Sequence, residues 1–252
     1  MLEGIETGYE AKFDFPRSER PPERPYLLAS VPRSGSTFVS HLLWRTGCLG
    51  APLEYLNFEP LGPYGHAHGS PDAQQRLWQA AIERRTSPNG VFGLKGFPPQ
   101  FEVLQHTNSA LLGQVMRTIL PSRERGRVVL VLRRDRTAHA ISYARALLSG
   151  IWRQEQERGG RVEPDYSSIA VERAGRLIAA QEGAWAAMLR DLGMTPLELW
   201  YEDVLEDPAD ATAAVAGYLE VELEPAAAVE VPRIERQSQE GARAWAERHA
   251  AG

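Results

Sequence analysis

The stretch Tyr26 to Phe38, YLLASVPRSGSTF, decides the fold. Its first half is apolar without polar alternation, as expected of a parallel strand covered on both faces. PRSGS then reads as a turn, and from about Thr37 the residues Phe38, Val39, Leu42, Leu43 and Trp44 recur near helical spacing, with Gly47 as a stop. A strand, a small-residue loop and a helix start together aim backbone N–H groups and a positive helix terminus at an anion. Against the nucleotide-binding pattern G-x-x-x-x-G-K-[ST], Gly35 and Thr37 fit, while Ser30 replaces the first glycine and Ser36 the lysine. That lysine would reach the β- and γ-phosphates, so the pattern is broken as a kinase site. Arg33 instead brings its charge earlier in the loop, beside a shorter anion. Such Ser/Gly turns are also common without any ligand, so a second site has to decide.

Outward from this stretch the same alternation repeats. Ser70-Pro71-Asp72 starts a helix to about Arg85, with proline in its first turn and the serine oxygen as a cap. VFGLK, Val91 to Lys95, is a short strand, and RVVLVL, Arg127 to Leu132, is a central one. Helices follow from about Thr137 to Leu148 and from Ser168 to Leu192, and a strand from Leu197 to Tyr201. The pattern implies an α/β fold with a mainly parallel sheet sandwiched by helices, and ligands outside the carboxyl ends of the strands. Residues 1–25 carry Pro16, Pro21, Pro22 and Pro25 and read as a lead-in arm; residues 26–252 read as one domain.

The second site follows the central strand, in RRDRTAHAIS, Arg133 to Ser142. Between Arg123 and Arg136 six arginines face Glu124 and Asp135, a local net of +4 in a chain of net charge −5. Arg134 lies at the strand exit, and Ser142, eight residues on, lies about two turns into the helix, so both can face one phosphate. A solvated basic turn is the plainer alternative.

Composition narrows the partners. The acidic balance lacks the field that duplex nucleic acid or an anionic membrane would favour, so any polyanion needs a local basic patch. Six scattered tryptophans suit packing better than a stacking platform, and no nucleic acid is expected. Cys48 is the only cysteine, which excludes an internal disulfide and fits a reducing cytoplasm. No apolar run approaches the roughly 18–20 residues of a membrane span, and the N-terminus lacks a signal-peptide pattern. A soluble cytoplasmic protein is expected. His66 and His68 in GHAHG have no evident third ligand, so no metal is expected there.

Taken together, these residues resemble the sulfotransferases that use 3′-phosphoadenosine 5′-phosphosulfate (PAPS), and specifically the bacterial Stf0 type, a group that includes trehalose sulfotransferases. LLASVPRSGSTF resembles the 5′-phosphosulfate loop, and RRDRTAHAISYARA the 3′-phosphate segment. GAPLEYLN, FGLKGF, WYEDVLEDP and IERQSQE resemble further family segments. The resemblance implies a P-loop-like three-layer sandwich, PAPS as donor with adenosine 3′,5′-bisphosphate (PAP) as product, a small-molecule hydroxyl acceptor such as a sugar or glycoside, no metal, and frequent dimerisation. It assigns Arg33, Ser34, Gly35, Ser36 and Thr37 to the 5′-phosphate, and Arg134 and Ser142 to the 3′-phosphate with Arg236 and Gln237 closing over it. The family's base falls on Glu54, a carboxylate shortly beyond the first helix and able to return to the sheet edge. Lys95 ends a strand, within reach of the sulfonate or the leaving oxygen, and Tyr55, Asn57, Tyr64, His66 and His68 are expected to line the acceptor site. A P-loop kinase of small molecules and a noncatalytic nucleotide-binding protein are the rival readings; Ser36 in place of lysine opposes the first, and Glu54 the second.

Overall fold

The computed structural model describes residues 8–152, 163–233 and 239–251. Four strands, β1 (Arg24–Ala29), β2 (Val91–Gly96), β3 (Val128–Leu132) and β4 (Leu197–Trp200), form one sheet in the order β2-β1-β3-β4, with every neighbouring pair parallel. The chain leaves β1 towards β2 on one side and returns to β3 on the other. Such a reversal opens a crevice at the carboxyl ends of the strands it separates, here β1 and β3. These are the two strands whose exits carry the phosphate-loop motif and the arginine-rich turn.

Side-chain alternation divides the core between the two faces. Leu27, Ala29, Leu94, Val128 and Leu130 pack on one side with Trp78 of α2 (Pro71–Arg85), Val115 of α4 (Ser109–Ile119), Ile141 of α5 (Arg136–Ser149) and Trp185 of α6 (Ser168–Leu192). Tyr26, Leu28, Val129 and Val131 pack on the other with Val39 and Leu43 of α1 (Ser36–Arg45) and Val215 of α8 (Pro208–Tyr218). Both faces are covered, which is why the inner strands β1, from Tyr26, and β3 read as unbroken apolar runs. The result is the three-layer α/β arrangement expected.

Local chemistry sets the helix ends that matter for the site. Asp135 caps α5 by accepting from Ala138 N at 2.8 Å, and Gly150 ends that helix in the left-handed conformation. Ser70 is at the start of α2, but its side chain makes no capping bond; Pro71 in the first turn does the work instead. The chain also contains α3 (Pro98–Thr107), α7 (Tyr201–Glu206) and α9 (Gln239–Ala251). Tyr201, expected to end a strand, opens α7, with Glu202 and Asp203 in its first turn. Tyr9 and Phe15 of the proline-rich lead-in are buried in the first core. The fully buried Arg85 holds them there, donating to Gly8 O at 2.8 Å and Glu10 O at 3.1 Å and pairing with Asp14 at 3.0 Å.

Candidate active site

Between Ala29 and Ser36 the backbone turns sharply enough to need the left-handed region twice, at Arg33 (φ +68°) and Gly35 (φ +90°). For a non-glycine residue that conformation costs of order 1–3 kcal/mol and persists only where its surroundings enforce it. Three neighbours do so. Arg33 Nε donates to Ser142 Oγ at 3.1 Å, its Nη1 donates to Trp152 O at 2.8 Å, and its own carbonyl accepts from Arg133 Nη1 at 3.3 Å. Gly35 is required on a second ground: a Cβ there would lie 2.1 Å from the Tyr201 ring.

The underside of the loop is equally determined. Trp185 Nε1 donates to Ser30 O, and His139 Nε2 donates to Pro32 O, both at 2.8 Å. A carbonyl only accepts, so the His139 proton is on Nε2. Burial pushes the His139 pKa down to about 4; the Pro32 bond opposes this, and Arg133, Arg136 and Arg33 reinforce it. His139 is therefore a neutral strut at neutral pH. Above the loop, Phe38 N and Val39 N both donate to Gly35 O, at 2.9 and 3.2 Å, while the N–H groups of Ser36 and Thr37 open α1 with no intrahelical acceptor.

Glu54 reaches this place because the chain after α1 runs back along β2. Leu53 bridges Leu94 in parallel, and Lys95 N donates to Leu53 O at 3.0 Å. Glu54 is then beside Lys95, whose side chain is only 2% exposed. Lys95 Nζ is 2.9 Å from Glu54 Oε1 and 3.0 Å from Thr37 Oγ1. A buried ammonium demands such a partner, because desolvating an unpaired charge is prohibitive. Glu54 Oε2 accepts from Asn57 Nδ2 at 3.2 Å and from Gln100 Nε2 at 3.4 Å. A carboxylate, an ammonium and the first turn of α1 thus form one hydrogen-bonded row.

The donor set fits an anion. Ser34 Oγ and Arg133 Nε are buried with no hydrogen-bond partner among the described residues, and both belong to the walls of the loop. Cavities of about 430 Å³ and 690 Å³ lie elsewhere, by Arg127 and Thr195 and by Pro25, at the opposite ends of the strands. Convergent polar chemistry, not cavity volume, marks the site at the carboxyl ends.

A family model described as Stf0 sulphotransferase matches residues 25–252 of this chain. The chain belongs to the Stf0 sulphotransferases. It is therefore an enzyme of sulfuryl transfer. This sulphotransferase is 28% identical over 271 aligned residues to trehalose 2-sulfotransferase of Mycobacterium tuberculosis (strain ATCC 35801 / TMC 107 / Erdman), covering 90% of this chain and 95% of that one. It is 24% identical to trehalose 2-sulfotransferase of Mycolicibacterium smegmatis (strain ATCC 700084 / mc(2)155), covering 89% and 93%. Among solved structures, the sulfotransferase domain from the curacin biosynthetic pathway superimposes with a TM-score of 0.50 at 16% identity, covering 89% of this chain and 83% of that one, a likeness of fold.

Within this Stf0 sulphotransferase several expected site residues take other positions. Ser142 meets Arg33, whereas Arg134 turns to the β4 side. There it forms a bidentate pair with Asp203, one arm at 2.7 Å, and lies 5.0 Å above the Trp200 ring. The Arg134 bond draws the Asp203 pKa below the usual carboxylate range. The arginine against the loop is Arg133, 5.4 Å above the Tyr201 ring. Tyr55 and Tyr64 are 1% and 0% exposed and belong to the core, not to a lining surface. Tyr55 donates to Ala51 O and stacks on Phe92, and Tyr64 meets Tyr9 edge-on at 5.3 Å. Asn57 does reach the site, through Glu54. His66 and His68 are exposed, with His68 Nδ1 donating to Phe58 O at 3.2 Å. Arg236 and Gln237 lie outside the described residues. Arg133 and Gln100 were not singled out from sequence, although the Pro98-Pro99 pair ahead of Gln100 is a helix-start signal.

Proposed function

We infer that this sulphotransferase moves a sulfuryl group from PAPS to a hydroxyl of a small molecule, with Glu54 as general base and PAP as product. The single observation that carries this reading is Lys95, buried and bonded at once to Glu54 and to Thr37 in the loop. It joins a proton acceptor to an anion cradle over two hydrogen bonds. Arg33, the hydroxyls of Ser34, Ser36 and Thr37 and the N–H groups of Gly35 to Thr37 would hold the 5′-phosphosulfate, in the manner of an anion at a helix N-terminus, the Ser34 N–H being taken by Val31 O at 3.2 Å. The 3′-phosphate falls to the β3 exit, to Ser142 and Arg134 as the family resemblance has it, and to Arg133, which the fold adds. Arg236 and Gln237 join them by resemblance alone.

The chemistry is an in-line displacement. The acceptor oxygen bonds to sulfur, the bond from sulfur to the phosphate oxygen breaks with its electron pair going to that oxygen, and the hydroxyl proton goes to Glu54. A positioned base of this kind contributes about 10²–10⁴-fold. As Glu54 takes the proton its charge disappears, so its hold on Lys95 weakens. The ammonium then faces the charge growing on the leaving oxygen. No metal is needed in this scheme, and the described residues contain no group of three or more His, Cys, Asp or Glu side chains that could hold one.

A sugar or glycoside is the acceptor best supported, because both curated relatives carry trehalose in their names. Asn57, which bonds Glu54, would meet that acceptor, and His66 and His68 join it by the sequence reading alone. No helix among the described residues is long and apolar enough to cross a membrane, and Cys48 is a free thiol, which suits a reducing cytoplasm.

Thermal shift tests the donor: PAP without metal should stabilise the protein more than ATP with Mg²⁺. The reverse order would return the kinase reading. Glu54→Gln should keep PAP affinity while turnover falls at least about 10²-fold; unchanged turnover removes Glu54 from its role.

A further inference from the structure

Gln100 occupies the third position of α3 and is 8% exposed. Its amide is engaged at both ends. Oε1 accepts the Phe97 N–H at 3.1 Å, and Nε2 donates to Glu54 Oε2 at 3.4 Å. A backbone N–H only donates, so it claims the amide oxygen and turns the NH₂ end towards the carboxylate. The helix start therefore decides which end of Gln100 Glu54 meets.

The other partners of Glu54 leave little freedom. Asn57 Nδ2 donates to the same Oε2 at 3.2 Å, while Oε1 belongs to Lys95 at 2.9 Å. Among the described residues, one carboxylate oxygen is held by two neutral amides and the other by a cation. Hydrogen bonds to the charged form favour it, so the amides both orient the group and lower its proton affinity.

We propose that Gln100 is a positioning residue that sets the direction and proton affinity of Glu54, an inference that rests on Glu54 being the base. Gln100→Glu separates this role from a structural one. It preserves the shape and the oxygen that accepts from Phe97, but it presents Glu54 with a second acidic oxygen instead of a donor. Carboxyl groups sharing a site raise one another's pKa. The acid limb of the kcat/KM profile, followed with PAPS as donor, should move up by about one pH unit. The lost orienting donor should in addition lower kcat at neutral pH about tenfold, with the KM for PAPS little changed. Gln100→Met, which loses both bonds, should lower Tm through the lost cap and move the limb less far in the same direction.

A role confined to capping α3 would lower Tm in the Met variant and leave both limbs in place. An unmoved limb in Gln100→Glu, with Glu54→Gln inactive, overturns the Gln100 inference and leaves the base reading standing. If Glu54→Gln retains turnover, the base reading fails and Gln100 with it. Should the Glu variant not melt cooperatively, the Met variant decides: an upward shift supports the proposal, and an unshifted limb overturns it.

Discussion

Two ion pairs stand at strand exits on either side of β1 and have opposite characters. Lys95 and Glu54, at the exit of β2, are 2% and 13% exposed, whereas Arg134 and Asp203, at the exits of β3 and β4, are 49% and 56% exposed. The buried pair cannot exchange its partner for water, so each member depends on the other and on Thr37, Asn57 and Gln100. The exposed pair can be opened by water or by a competing anion at little cost. On the reading proposed above, the difference separates a base held in fixed geometry from an arginine that a competing anion could draw away from Asp203.

Lys95→Met should break this contrast most severely. It removes the ammonium that lies 2.9 Å from a carboxylate only 13% exposed, so urea denaturation should register a loss of about 3 kcal/mol, and turnover should fall with it. A stability equal to wild type would mean that Glu54 is solvated and that the two pairs differ less than their exposures indicate.

The next effect concerns His139, the buried strut beneath the loop. Its folded pKa, about 4, lies below the ordinary 6.5, so the unfolded chain takes up the proton first. Its contribution is complete above pH 6.5 and is lost as pH falls towards 4, a change on the order of 3 kcal/mol. His139→Gln, which retains a donor for Pro32 but does not titrate, should flatten the fall of the urea midpoint between those pH values. An undiminished fall would locate the acid sensitivity elsewhere.

The smallest effect sharpens the comparison within the arginine-rich turn. Arg134→Gln should leave Tm unchanged and weaken PAP binding modestly, whereas Arg133→Gln, which loses the contact to Arg33 O, should weaken it more. Titration calorimetry at two salt concentrations would measure both. A larger loss for Arg134 would show that the Asp203 pair gives way and that the eight-residue spacing to Ser142 identifies the true phosphate arginine.

Much of this molecule was legible before folding. β1, its loop and α1 could be read because apolar runs, small turn residues and helical spacing act within a dozen neighbouring residues. The pairs α3 and α4, and α7 and α8, were harder: Tyr201 looks like the last residue of a strand, yet its backbone already turns into a helix. At the site, Glu54 and Lys95 were each suspected, but their union was not, since it depends on Leu53 lying alongside Leu94. Tyr55 and Tyr64 are core residues and not lining ones for the converse reason. Proximity to Glu54 in the chain says nothing about which side of the segment faces the core, and burial among Tyr9 and Phe92 settled that.

Short-range order therefore lies in the residues themselves: which runs become parallel strands, where an anion can sit at a helix start, and that the charge there is arginine and not lysine. Long-range choices waited for the fold: which arginine of two adjacent ones turns to the loop, which end of the Gln100 amide meets Glu54, and how deep each ion pair lies. The reason is physical. Backbone sterics and side-chain spacing act along the chain, whereas desolvation and hydrogen-bond partnership depend on groups tens of residues apart that only packing brings together.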